Sequence, residues 1–195
     1  VRPRPEHVER ILTIVEDRRQ HPETAPPLKI VVVGGSVTEG AGCDQGGQII
    51  GRACNWSVRL ESFVNNILGF HAIKVYNIAS GGTNTGQALS LIKYWMYPDD
   101  LGGPPDIIIH AYGANDSNIG HLIPNEVERI QALFTQVLDR LNQFTATVFQ
   151  SHSCPTPIIF HLDDYIGGLS QGGIVGDVTY RIILREVAGW YQNFA

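Results

Sequence analysis

Apolar and polar positions along the chain fall into two alternating rhythms, one helical and one extended. In residues 6–20, "EHVERILTIVEDRRQ", Val8, Ile11, Leu12 and Val15 share one helical stripe, so a leading helix is expected. The prolines of "HPETAPP" end it, because proline stops helices and favours extended backbone. "LKIVVV" (28–33) is a continuous apolar run, the pattern of a strand covered on both faces. "NWSVRLESFVNNIL" opens on a capping-type asparagine and sets Trp56, Leu60, Phe63, Val64 and Ile67 at helical spacing. "AIKVYNIA", "PDIIIHAYG" and "TPIIFHL" read as three further strands. Each is followed by a helical pattern: "TGQALSLIKYWMY", then "PNEVERIQALFTQVLDRLNQF" opened by Pro124, then "GDVTYRIILREVAGWYQNF".

A helix followed by four βα units predicts an α/β domain with a parallel sheet. Residues 1–27 form an N-terminal helix and linker, and 28–195 form the domain; no internal repeat or low-complexity segment interrupts it. The 195 residues suffice for one sizeable core. A hydrophobic content of 43% with 17% charged residues is that of an ordinary globular protein. The net charge of −5 argues against broad electrostatic binding to nucleic acid or anionic membrane. No apolar run reaches the length of a bilayer span.

The opening "VRPRPEHVER" has neither an apolar signal region nor a methionine, as in a processed protein or a fragment, and says nothing about compartment. Cys43 and Cys54 bracket the loop "CDQGGQIIGRAC". They are either two ordinary thiols or a disulfide, which would restrict the unfolded loop by roughly 2–3 kcal/mol. The triplet "NWS" at Asn55 is a glycosylation sequon, and with the cysteine pair it tilts the reading toward a secreted or lumenal protein. Cys154 is left over in either case.

Ligands of doubly wound sheets bind at the carboxyl ends of the strands. Here those ends carry Gly34-Gly35-Ser36-Val37-Thr38, then "NIASGGTNTG" with Gly81 and Gly82, then "YGANDSN" with Gly113, Asn115 and Asp116, then His161, Asp163 and Asp164. A serine at a strand-to-helix turn exposes its hydroxyl near a helix start, where developing negative charge is favoured. Glycines let a backbone N–H approach a substrate, and an asparagine supplies an amide N–H. Together these donors make an oxyanion hole, each worth roughly 3–4 kcal/mol in acyl transfer.

These three blocks resemble those of the SGNH (GDSL-type) serine hydrolases. "VVVGGSVTEG" is similar to the first block, with Ser36 as nucleophile. "YNIASGGTNT" is similar to the second; counting from Asn77 makes Gly82 the match for the oxyanion glycine, with Gly81 close behind. "YGANDSN" is similar to the third, with Asn115 as the oxyanion amide. The resemblance covers residues 29 to about 118. It implies a three-layer α/β/α sandwich with a flavodoxin-like parallel sheet of five strands, and an esterase that forms an acyl-enzyme on Ser36. It implies no metal and no organic cofactor, and a small-molecule or glycan ester as substrate, with carbohydrate O-deacylation one form of that chemistry.

Two departures stand out. Gly-Gly-Ser replaces Gly-Asp-Ser, which leaves the nucleophile in place. More seriously, the family's Asp-x-x-His base motif and the strand before it are absent, and no histidine follows His161. Without a base a serine hydroxyl is a weak nucleophile. The expectation we favour is a domain that continues on a further segment or another chain, which would also cover the sheet edge that a missing fifth strand leaves. The alternatives are an inactive domain that binds a glycan or protein partner in the same cleft, and a relocated base, for which His161 is the best candidate. His161 reads more simply as a polar residue bonded at a strand end, and His110 as a core histidine. Asp106 and His110 share a strand face but lie about 13 Å apart, too far for a relay. His152 is a loop residue with no evident partner, and Asp116 is expected to brace its own turn. A phosphate-binding loop is excluded, since Ala41-Gly42 stands where Lys-Ser/Thr is needed. No histidine and carboxylate spacing suggests a metal.

Overall fold

In the computed structural model, which describes residues 4–45, 48–49, 54–116, 123–152, 155–162, 182 and 185–187, helices and strands alternate along the chain. They are α1 (Pro5–Gln20), β1 (Leu28–Gly34), α2 (Ser36–Glu39), β2 (Asp44–Gln45), β3 (Gln48–Ile49), α3 (Trp56–Leu68), β4 (Ile73–Asn77), α4 (Thr85–Lys93), β5 (Ile107–Ala111), α5 (Gly113–Asp116), α6 (Glu126–Ser151) and β6 (Ile158–His161). Four strands form one sheet in the order β4-β1-β5-β6, every neighbour parallel. The short β2 and β3 pair antiparallel beside it. Counted by main strands the order is 2-1-3-4, the flavodoxin-like arrangement expected; the segment that would carry a fifth strand lies outside the described residues.

Strand alternation divides the core into two layers. Val31 and Val33 of β1, with Ile108 and Tyr112, pack against Ala88 and Ile92 of α4 and Phe144 and Val148 of α6. Ile30 and Val32, with Ile107 and Ile158, pack on the opposite face against Ile11, Ile14 and Val15 of α1 and Trp56, Leu60 and Val64 of α3. The sheet is thus covered on both sides, which is why β1 reads as an unbroken apolar run.

Some details differ from the pattern-based expectation. The inner stripe of α1 is Ile11, Ile14 and Val15, while Val8 and Leu12 are exposed. Phe63 and Ile67 of α3 are likewise exposed, at 63% and 66%. The helix predicted to run to Tyr97 stops at Lys93. Trp95 there adopts φ 52°, and the Met96 and Trp95 N–H groups fold back to Leu91 O (2.9 Å) and Ile92 O (3.2 Å). That is the double-bonded helix stop usually made with glycine. The indole compensates by donating to Ser151 O at 3.0 Å and packing on His152, their ring centroids 4.7 Å apart. His152, read from sequence as a partnerless loop residue, is buried and closes α6, its Nε2 2.9 Å from Tyr97 Oη. The long helix begins at Glu126, capped by Asn125 rather than opened by Pro124, and runs two turns past the predicted end. Of the last predicted helix, residues 182 and 185–187 are described and helical, and Val187 packs on Leu133, Val137 and Leu141 of α6.

The outer margin of β4 is closed by side chains. Asn65 of α3 accepts from Ile73 N–H (3.0 Å) and donates to Ile73 O (3.0 Å), and Glu61 Oε2 accepts from Val75 N–H (2.6 Å). These groups would otherwise offer a free edge. No described helix is long and apolar enough to cross a membrane.

Candidate active site

The carboxyl end of β1 delivers Gly34, Gly35 and Ser36 into a single helical turn. Ser36 is the first residue of α2, and Gly40, at φ 110°, ends the turn with its N–H on Ser36 O (3.0 Å). The two glycines before Ser36 are required by close packing. A Cβ on Gly34 would meet Ala111 O at 2.6 Å, and one on Gly35 would lie 2.9 Å from Asn115 Cγ. The Asn115 amide therefore rests directly against the backbone that leads into Ser36. From the other side, a Cβ on Gly81 would lie 3.7 Å from Ser36 Cβ. The ends of β1, β4 and β5 so bring Ser36, the Gly81–Gly82 turn and Asn115 near one another.

The two glycines of that turn differ. Gly81 N–H is taken by the Glu39 carboxylate, 2.7 Å away. Gly82, at φ +75°, faces open space, and among the described residues its N–H has no partner. The Asn115 amide gives one N–H to Thr83 O, tying the second block to the third. An amide nitrogen carries two, and the second has no partner among the described residues. Ser36 is partly exposed, and its Oγ has no hydrogen-bond partner among the described residues.

Two asparagines hold the α2 turn, and the sequence reading missed both roles. Asn77 donates to Thr38 O (2.7 Å) and Ser57 Oγ (3.1 Å). Asn55 donates to Thr38 O (3.2 Å) and Glu39 O (3.3 Å), while its oxygen caps α3 by accepting from Val58 N–H (3.1 Å) and Ser57 Oγ (2.7 Å). Asn55 is 4% exposed. Its amide is committed on every side, so the sequon "NWS" is closed to glycosylation in the folded chain and does not bear on compartment. Cys43 and Cys54 are bonded as a disulfide, which settles the alternative left open for that pair. It anchors the loop leaving α2 to the residue next to Asn55.

Asp116, expected to brace its own turn, reaches across to α4. Fully buried, it accepts from Thr85 N–H (3.1 Å) and from the Thr85 hydroxyl, and so fixes the start of α4 behind the glycine turn. Thr85 Oγ1 in turn lies 2.7 Å from His110 Nε2. With its proton given to Asp116, the hydroxyl accepts from a His110 Nε2–H, which leaves Nδ1 without a proton; that atom is buried and unpartnered among the described residues. Burial, and then the neighbouring His161, hold His110 well below the usual histidine range.

His161 is not brought to the nucleophile. It pairs in register with His110, and His110 with Val33 of β1, so two strand spacings of about 5 Å each separate it from β1. Its ring meets His110 (centroids 5.0 Å) and Phe144 (6.4 Å), and burial lowers its pKa to about 4. The simpler reading, a polar residue bonded at a strand end, matches its place at the end of β6 but not its bonding, since Nδ1 is buried without a partner among the described residues. Asp163 and Asp164 lie outside the described residues. Asp106, near the opposite end of the sheet, accepts from Lys29 N–H (2.8 Å) and pairs with Arg10 (3.8 Å).

Comparison with known proteins adds the following. Residues 30–165 match the family model described as GDSL-like lipase/acylhydrolase. No curated protein sequence matches the chain. Among solved structures, the lipase Lip_vut3 from a goat rumen metagenome superimposes with a TM-score of 0.60 at 14% identity, covering 82% of this chain and 74% of that one. A lipase/acylhydrolase from Enterococcus faecalis gives 0.56 at 15% identity, with 84% and 73% covered. A catalytic mutant of Axe2, an acetylxylan esterase from Geobacillus stearothermophilus, gives 0.56 at 15% identity, with 84% and 73% covered. At these identities the likeness is one of fold.

Proposed function

The chain belongs to the GDSL-like lipase/acylhydrolase family, and from that premise we propose that it is a serine esterase whose acyl-enzyme forms on Ser36. The observation that carries this reading is the packing of Gly35 against Asn115 with Gly81 beside Ser36 Cβ. On this reading the Ser36 hydroxyl, the Gly82 N–H and the second Asn115 N–H face one small volume. Ser36 Oγ attacks the acyl carbon of an ester, and its proton passes to a base. The carbonyl oxygen becomes an oxyanion, held by Ser36 N–H, Gly82 N–H and Asn115 Nδ2. The base returns the proton to the departing alcohol, and water then releases the acid by the reverse sequence. The Glu39 contact on Gly81 supports Gly82 as the donor.

The base is a histidine that the described residues do not place, and His161 is too far across the sheet to serve. For substrate we propose short acyl esters of carbohydrate; the fold likeness to an acetylxylan esterase supports this class only by analogy. The testing experiment is labelling with a fluorophosphonate probe, with mass mapping of the adduct, on the protein and on Ser36→Ala. An adduct on Ser36 that the variant loses supports an activated serine. A folded protein that takes no adduct overturns the reading in favour of a domain that binds in the same cleft without chemistry.

A further inference from the structure

We propose that Arg140 forms an anion subsite at the edge of this cleft, so that the preferred ester carries a carboxylate or similar negative group on its non-reacting part. This rests on the esterase reading and extends it to substrate class. Arg140 lies on α6, and its Nε and Cζ sit 3.7 and 3.9 Å from the point a Cβ on Gly86 would occupy. Gly86 is in the first turn of α4, the helix that begins directly after the Gly81–Gly82 turn and Thr83. The guanidinium therefore sits behind the segment that supplies the oxyanion glycine.

Nothing described neutralises it. Arg140 makes no hydrogen bond or ion pair among the described residues, and its Nη1 is buried without a partner. The carboxylate that caps the same helix, Asp116, gives one oxygen to Thr85 N–H and the other to the Thr85 hydroxyl. The residue as a whole is only partly buried, so part of its side chain meets solvent although Nη1 does not. A guanidinium with one nitrogen desolvated and unpaired is costly to the empty protein, and a charge-assisted bond to an incoming anion offsets that cost. The α4 dipole, positive at this end, adds to the same preference. The overall charge of −5 would repel anionic substrates, which makes a local cation at the cleft the more consequential.

Arg129 supplies the control. It lies on the same α6 face, eleven residues earlier and so about 16 Å along the axis, and its Nε is also buried and unpartnered. Removing it changes net charge identically, but it sits beyond a Debye length of about 8–10 Å from Arg140. The experiment compares hydrolysis of 4-nitrophenyl hemisuccinate and of 4-nitrophenyl butyrate by the protein, Arg140→Gln, Arg140→Lys and Arg129→Gln. Arg140→Gln is expected to lower kcat/KM for the hemisuccinate about ten- to hundredfold while leaving the butyrate unchanged, with partial recovery in Arg140→Lys and none of this in Arg129→Gln. An unchanged ratio of the two esters in Arg140→Gln, or an equal change in Arg129→Gln, overturns the subsite. Succinate binding is followed separately by its effect on the melting temperature. A rise that Arg140→Gln abolishes, in a protein that cleaves neither ester, would sustain the anion site and reject the esterase reading. No rise in a protein that cleaves butyrate and hemisuccinate alike would do the opposite.

Discussion

Asn55 offers the sharpest test of how local capping and the nucleophile turn are joined. Its oxygen caps α3, and its nitrogen clamps the Thr38 and Glu39 carbonyls. Asn55→Ala removes both functions. Loss of the cap costs about 1 kcal/mol. Thr38 O keeps its bond from Asn77, but Glu39 O and Ser57 Oγ each lose a partner. Those two losses add about 1–2 kcal/mol. For a chain of this size the sum of about 2–3 kcal/mol lowers the melting temperature by about 5–10 °C. Asn55→Asp separates the two roles: aspartate caps as well as asparagine, but it turns a carboxylate oxygen toward two carbonyl oxygens where the amide donated. It is expected to be at least as damaging as alanine, and to slow fluorophosphonate labelling of Ser36 at temperatures where the protein is still folded. Thermal unfolding followed by circular dichroism, with labelling rates on the same samples, measures both. An aspartate variant as stable and as fast as the parent would show that the amide does not hold the turn.

Acidification should destabilise the fold through the two facing histidines. His161 is held to about 4 against its ordinary 6.5, so between those values the unfolded chain binds more protons than the native one. Stability is complete above pH 6.5 and falls as pH drops toward 4, by up to about 3 kcal/mol from this residue. His110, also lowered by burial, acts with the same sign. Urea unfolding at pH 7, 5.5 and 4 reads the loss, and His161→Gln should flatten the curve if this assignment is right. Asn115→Ala is expected to reduce kcat by 10²–10³-fold with little change in KM, as for loss of one oxyanion donor; an equal rise in KM would mean it binds substrate instead. Reducing the Cys43–Cys54 bond should cost about 2–3 kcal/mol, seen as a lower urea midpoint with dithiothreitol that Cys43→Ser does not show.

The strands and the three chemical blocks were legible because their signals are local. β1 is a β-branched run, and each block follows its own strand. What sequence could not show depended on contacts between distant segments. Asn55 reads equally well as a helix cap or as a sequon, and only the carbonyls of residues 38 and 39 decide between them. Counting from Asn77 favours Gly82 only narrowly over Gly81, and it cannot show that a carboxylate 42 residues earlier occupies the Gly81 N–H. Helical spacing made Leu12 and Phe63 look like core positions, whereas the stripe that meets the sheet is rotated from them. Trp95 was hidden because a tryptophan in a glycine conformation is sustained by Ser151 and His152, more than fifty residues away.

The side chains of α3 that occupy the margin of β4 close one side of the sheet to growth. A strand offered by a second copy or by a peptide would find Ile73 and Val75 already bonded by Asn65 and Glu61. It could pair there only by first displacing a helix. Strand addition at this margin is thereby opposed, so β-blocking substitutions along β4 should leave any self-association untouched.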